Sequence, residues 1–316
     1  MITRLHNHPQ AKQMKDKLRI LQYNVNHGKE STQAPLLRDT NIQDFDILAI
    51  QEPWRNPFTT TSYNYPRSEF YLVYPNHKLA RVCFYVNKRL DLASWTVTTH
   101  SQDLQTLTIR YEDEGEQKAI DIHNIYNPSP TSYSSQEQGT LAILRNALET
   151  TVDSRNHIVL GDLNLHHPLW SGNERLTQHN AADLLIDLAH DANLELVTTR
   201  GNPTWKARGT QSTIDLTFLS QPLVTNLTRC EPRQELAQAS DHIPIETTLT
   251  LRTLRQATTR RRCWKKLDKD KITLFLKDRV PNTNLSTHLQ VDTRVRELTE
   301  AIQEAIDHAV PWAEPS

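Results

Sequence analysis

The chain is 316 residues long and nearly neutral, with 36 Lys and Arg against 37 Asp and Glu, so no global charge drives it toward nucleic acid or an acidic surface. Its 37% hydrophobic content and mean hydropathy of −0.63 fit a globular protein with a large polar surface. No apolar run reaches the roughly 18–20 residues of a membrane span, and the N-terminus lacks the apolar stretch of an export signal.

A polar tail is expected over residues 1–17. From 18 to 252, short β-branched runs alternate with polar loops. Strands are expected at 19–24, 47–51, 70–74, 81–86, 105–111, 120–127, 157–162, 194–198, 213–219 and 244–251. Helices are expected at 137–153, with Leu141, Leu144, Leu148 and Val152 on one face, and at 180–194. Many short, half-alternating strands with interspersed helices imply two packed, mainly antiparallel sheets flanked by helices. Beyond 252 the character changes. Residues 252–266 hold five Arg and two Lys with no acid, a run that suits either a phosphate backbone or a solvated linker. A helical extension follows, in which Val295, Leu298, Ile302 and Ile306 are spaced 3, 4 and 4 as on an amphipathic helix. Cys83, Cys230 and Cys263 are far apart, odd in number and without CxxC spacing, which favours a reducing compartment over a structural zinc site.

Polar side chains sit at the strand ends. Asn24 closes the first strand and by itself reads as a turn residue. Glu52 directly follows an apolar strand, as an N-cap or a metal ligand does. Tyr126 reads as a half-buried strand aromatic. Asp162 and Asn164 share parity, so a strand that continued would point both to one face. Asp215 lies mid-strand, where it is costly unless paired. Ser240-Asp241-His242 reads as a loop before the last strand. In "GDLNLHHPLWSG" two adjacent histidines invite a zinc reading, but neighbours in an extended chain point opposite ways, so one ion rarely takes both. His166, His167 and Trp170 are expected to brace the loop that carries Asp162 and Asn164.

Taken in order, Asn24, Glu52, Tyr126, Asp162-x-Asn164, Asp215 and Ser240-Asp241-His242 resemble the endonuclease/exonuclease/phosphatase superfamily, which includes DNase I, apurinic endonucleases, inositol-polyphosphate 5-phosphatases and neutral sphingomyelinases. The resemblance covers about residues 18–252. It implies an α/β (α+β), DNase I-like four-layer sandwich with the helical extension, residues 253–316, appended to it. It implies Mg²⁺, with Mn²⁺ as substitute, on Glu52 helped by Asn24, with Asp241 close to metal and leaving group. His242, oriented and charged by Asp215, would donate to a phosphate oxygen. Asp162 would orient or deprotonate the water, Asn164 would hold the phosphate, and Tyr126 would contact the phosphate or the developing charge. Hard carboxylate and amide oxygens suit Mg²⁺, and phosphodiester hydrolysis needs such charge neutralisation and a positioned water. Asn26 stands where repair-type relatives often have Asp.

"GDLNLHHPLWSG", "IYNPSP" and "GNPTWKARGTQSTIDLTFLS" further resemble the endonuclease domains of LINE-type (non-LTR) retrotransposons, and "RRRCWKKLDKDKI" resembles their connector toward a reverse transcriptase. This branch implies DNA as partner, with contacts at Thr204, Asn127, Arg260, Arg261, Arg262, Lys265 and Lys266, and no membrane. A full-length element would carry a reverse transcriptase, and this sequence stops about where that polymerase would begin. Nuclear residence with a cytoplasmic pool is expected. Three functions therefore compete: a DNA endonuclease leaving a 3′-hydroxyl, a phosphatase or phosphodiesterase of the same superfamily, and an inactive DNA-binding remnant held to DNA by residues 252–266.

Overall fold

The computed structural model describes residues 14–15, 17–129, 139–150, 155–172, 180–255, 262–277 and 288–311. They belong to two compact units, Met1–Ala257 and Thr258–Ser316. The first unit runs β1 (Met14–Lys15), β2 (Leu18–Asn24), α1 (Ala34–Arg38), β3 (Ile47–Gln51), β4 (Phe70–Val73), β5 (Val82–Asn87), β6 (Trp95–Thr99), β7 (Leu104–Asp113) and β8 (Glu116–Tyr126). It continues through α2 (Thr140–Glu149), β9 (Asn156–Asp162), α3 (Pro168–Ser171), α4 (Asn180–Asp191), β10 (Leu194–Leu196), β11 (Trp205–Ala207), β12 (Thr210–Ser212) and β13 (Asp215–Ser220). It closes with α5 (Gln221–Val224), β14 (Leu227–Pro232), β15 (Ile245–Leu249) and β16 (Arg252–Leu254).

One sheet has the order β1-β16-β7-β8-β9-β13-β10, with β6 also paired to β7; the other has the order β14-β15-β2-β3-β5-β4. Pairing is antiparallel except between β2 and β3 and between β8 and β9. The ten expected strands all appear, within a few residues of their anticipated bounds. Strands β1, which falls in the expected polar tail, β6, β11, β12, β14 and β16 were not anticipated. They are short or half-exposed, so their extended state comes from pairing with a neighbour rather than from a hydrophobic pattern of their own.

Strand alternation builds the layers. Leu18 and Ile20 of β2, Ile47 and Ala49 of β3, and Phe84 and Val86 of β5 meet Leu107, Ile109, Ile120, Ile122, Ile158, Leu160 and Leu219 of the other sheet in one buried cluster. The intervening residues point outward. Leu21, Tyr23, Leu48, Ile50 and Tyr85 pack with Leu36 and Leu37 of α1. On the other flank, Val159 and Phe218 pack with Leu144 of α2 and Leu185 of α4. The result is helix on sheet on sheet on helix, the DNase I-like architecture.

The same alternation makes the inward face change character along its length. Asn24 follows Leu18 and Ile20 at the same parity, Gln51 follows Ile47 and Ala49, Asp162 follows Ile158 and Leu160, and Asp215 precedes Thr217 and Leu219. The sandwich interior is thus aliphatic at one end and polar at the other. Its polar groups pair across the sheets: Thr217 Oγ1 donates to Gln22 Oε1 at 2.9 Å and Gln51 Nε2 to Asn124 Oδ1 at 2.6 Å.

In the second unit, α6 (Lys269–Lys277) and α7 (His288–Ala309) form the helical extension. The expected stripe on α7 does not face inward. Val295, Leu298 and Ile302 are exposed and Ile306 is half-buried, whereas Ala301, Ala305 and Ala309 are buried. No described helix is long and apolar enough to cross a membrane.

Candidate active site

Register at the polar end of the sandwich sets the site. Tyr126 is the register partner of Asp162 on β8 and β9, and Asp215 is its partner on β13, so three functional side chains stand in one row across one sheet. The facing sheet supplies Asn24, paired in register with Gln51, and Glu52 one residue beyond. The loop into β15 supplies Ser240, Asp241 and His242.

The row is closely coupled. His242 Nδ1 lies 2.9 Å from Asp215 Oδ2, and its Nε2 lies 3.9 Å from Asp162 Oδ2. Asn24 Nδ2 donates to Asp162 Oδ2 at 2.9 Å, and the Asn164 backbone N–H donates to Asp162 Oδ1 at 3.1 Å. All four side chains Asn24, Asp162, Asp215 and His242 are buried. Burial works against the His242 cation, but Asp215 first, then Asp162 and Asp241, outweigh it and hold the imidazole pKa up at about 9. Burial, reinforced by the Asp215 charge, pushes the Asp162 carboxyl well above the usual carboxylate range, with His242 and Asn24 opposing.

Two expected geometries differ. Asn164 does not share a continuing strand with Asp162: β9 ends at Asp162 and Asn164 turns into the left-handed region at φ 50°, where its side chain donates to Asn127 O at 3.0 Å. Among the described residues, four of the seven non-glycine positions with positive φ border this site, namely Asn26, His27, Glu52 and Asn164. For Glu52, at φ 46°, that conformation is intrinsically unfavourable, and backbone strain of this kind concentrates where function demands a particular aim.

Thr204 and Asn127 are corrected as DNA contacts. Both side chains are buried and occupied. Thr204 Oγ1 accepts from the N–H groups of Ile214 and Asp215, so it fixes the start of β13, and Asn127 Nδ2 donates to Leu163 O at 2.8 Å. Arg262 is also corrected. Its guanidinium binds the carbonyls of Ile306 and Val310 and pairs with Asp307, capping the end of α7. Lys265 and Lys266 are exposed, and Arg260 and Arg261 lie outside the described residues. The His-His stretch behaves as a brace. His167 caps α3 by accepting from Leu169 N and packs 5.2 Å from Trp170, whose buried indole donates to Leu165 O.

Sequence reasoning missed two supporting residues, Arg81 and Trp205. Arg81 lies 4.8 Å over the Tyr126 ring and is held by both oxygens of Asp103. Trp205 Nε1 donates to Asp241 Oδ2 at 2.8 Å, and Asn26 Nδ2 donates to Asp241 Oδ1 at 3.2 Å. Asp241, expected as a catalytic residue and a metal ligand, therefore has a neutral protein donor on each oxygen. An Asp at position 26 could not donate in this way. Arg81 directly precedes β5 and Trp205 opens β11, and neither residue type announces a role by itself.

Among the described residues, Asp162, Asp215 and His242 form the one acid and histidine cluster whose ligand atoms all lie within 4.8 Å. A histidine held as a cation by Asp215 is a poor metal ligand, so this trio suits proton handling better. Glu52 offers a carboxylate that is 18% exposed and 3.7 Å from His27, and its charge helps to raise the Tyr126 pKa. With the Asn24 amide it makes a hard-oxygen donor set that fits a divalent cation.

Residues 120–246 match a sequence family described as "Endonuclease-reverse transcriptase". This match spans 127 of the 316 residues and takes in Tyr126, Asp162, Asn164, Asp215, Asp241 and His242. Solved structures with this fold include the endonuclease domain of TRAS1, a telomere-specific non-LTR retrotransposon, at 17% identity and a TM-score of 0.56, covering 74% of this chain and 99% of that one. The Xenopus laevis APE2 catalytic domain matches at 14% identity and a TM-score of 0.57 (75% and 93% covered), and an AP endonuclease from Archaeoglobus fulgidus at 20% and 0.52 (73% and 99% covered). No curated protein sequence matches the chain. The matched residues place their acid–base row at the ends of adjacent strands, an arrangement that suits phosphodiester hydrolysis.

Proposed function

We propose that the protein is a divalent-metal-dependent DNA endonuclease that nicks one strand and leaves a 3′-hydroxyl, as the endonuclease step of a LINE-type retrotransposon requires. The observation that carries this reading is the Asn24–Asp162–His242–Asp215 row, joined by hydrogen bonds at its two ends and by a 3.9 Å charge contact between Asp162 and His242. Asp162, a buried carboxylate of raised pKa, is a strong enough base to take a proton from an attacking water, while Asn24 and the Asn164 N–H hold it in place. His242, kept cationic by Asp215, presents Nε2 to a phosphate oxygen. Tyr126, whose pKa burial and then Glu52 raise further, stays a neutral phenol that can donate to the same phosphate, with Arg81 behind its ring. Glu52 and Asn24 would hold Mg²⁺ or Mn²⁺, which supplies charge neutralisation at phosphate and leaving oxygen. The fold likeness to a Neisseria 3′ phosphatase, at 16% identity and a TM-score of 0.53, gives the rival reading. Duplex oligonucleotides with internal diesters, beside ones ending in a 3′-phosphate, separate the two after chelation and metal add-back. Internal cleavage is expected; phosphate release without cleavage would replace the proposal with the phosphatase reading.

The pH profile has a definite sign. Because the His242 pKa is raised, activity depending on its cation persists until pH passes about 9 and falls above it. Because the Asp162 pKa is raised, the acid limb lies above the ordinary carboxylate range. Asp215→Asn should move the alkaline limb down toward 6.5, the ordinary histidine value. An unmoved limb would show that Asp215 does not set the charge of His242.

Trp205→Phe removes the donor to Asp241 while keeping an aromatic ring. Losing a hydrogen bond to a charged group is expected to lower kcat about ten-fold with little change in KM. A normal kcat at full metal saturation would remove Trp205 from the machinery.

A further inference from the structure

Phe58 is 91% exposed, more than any other described large hydrophobic side chain. A lone exposed apolar residue usually calls for no explanation, but three features set this one apart. First, the turn that presents it is built. Asn56 Oδ1 accepts from the N–H groups of Phe58 and Thr59 at 2.9 and 3.3 Å, and Asn56 N donates to Thr61 O at 3.0 Å, closing the loop on itself. Second, the surroundings are cationic. Phe58, Arg55, Tyr74 and Lys78 line an open cavity of about 260 Å³, and neither 53–61 nor 75–81 contains an acid. Third, this surface runs into the candidate active site. Glu52 lies six residues before Phe58, Arg55 Nε donates to Ala80 O at 3.3 Å, and the next residue, Arg81, accepts from the Glu52 N–H at its carbonyl and lays its guanidinium over Tyr126.

We infer that Phe58 stacks against a nucleobase of the DNA substrate beside the scissile phosphate, with Arg55 and Lys78 on the flanking phosphates. This rests on the endonuclease reading and adds a contact to it. A preset turn loses little entropy on binding, and an aromatic face accepts any base, so the contact supplies affinity and positioning rather than sequence choice.

The full chain, freed of divalent metal, is titrated into fluorescently labelled duplex DNA at several salt concentrations. Phe58→Ala should weaken binding about ten-fold and Phe58→Tyr should restore it to within about two-fold. The slope of log affinity against log salt should be unchanged in both, whereas Arg55→Ala and Lys78→Ala should each lower it by about one. Phe58→Ala binding within two-fold of wild type would overturn the inference. So would wild-type self-association that Phe58→Ala abolishes, which would make the surface a contact between copies. Phe58-dependent binding by a chain that never nicks would overturn the endonuclease reading alone; nicking with Phe58-independent binding would overturn this inference alone.

Discussion

Replacing Asp162 with Asn is expected to lower strand cleavage by about 10²–10⁴-fold, the range that removal of a positioned general base gives, while leaving the fold at least as stable as wild type. The two halves have one cause. Asp162 is buried in register beside Asp215, and burial together with that like charge makes its ionised form unfavourable. An amide of the same shape relieves both terms. The amide has a single oxygen, so it keeps one of the two donors, Asn24 Nδ2 or the Asn164 N–H, and gives up the other hydrogen bond, while His242 keeps Asp215. A site held against its own electrostatics in this way trades stability for function. Cleavage and a thermal melt on the same preparation check the prediction. A marked loss of stability would mean that Asp162 serves the fold, and full activity would mean that it is not the base.

Gly161→Ala should cost more stability than the same change at Gly28, Gly115, Gly172, Gly201 or Gly209. Gly161 has φ +141°, and a Cβ there would lie 2.0 Å from Ile125 O on the adjacent strand β8. That atom is backbone in a parallel pair between two central strands and cannot step aside without breaking the ladder. Overpacking and an unfavourable φ each cost about 1–3 kcal/mol, so roughly 3 kcal/mol or more is expected, against a typical total of about 5–15. Urea denaturation would read it, and a change below about 0.5 kcal/mol would show that β8 and β9 are not so closely joined. The position also explains why glycine precedes Asp162: the two strands close here to set Tyr126 beside Asp162.

Much of the fold was legible because its central strands alternate cleanly. Ile158, Leu160 and Asp162 share one parity, and so do Ile20, Gln22 and Asn24, so the polar end of the sandwich is written as a polar residue continuing an aliphatic face. What parity could not give was the end of the strand. The left-handed turn at Asn164 sends that residue elsewhere, and nothing in "GDLN" marks where extension stops. Burial was the second blind spot. Thr204 and Asn127 sit in motifs beside the site, but a motif does not tell a side chain facing substrate from one that braces backbone, and both of these brace. Arg262 shows the same limit for charge: within a basic run it serves a helix end. Trp205 and Arg81 escaped notice because their roles arise only when distant strands meet, Trp205 reaching Asp241 and Arg81 reaching Tyr126.

The central claim is that this row of strand-end side chains cuts an internal phosphodiester and leaves a 3′-hydroxyl. Supercoiled plasmid incubated with the full chain and Mg²⁺, then offered to a DNA polymerase with labelled nucleotide, tests it most directly. Conversion to open circles whose nicks the polymerase extends is the predicted result; no nicking with either Mg²⁺ or Mn²⁺, or nicks that cannot be extended until a 3′-phosphate is removed, would contradict it.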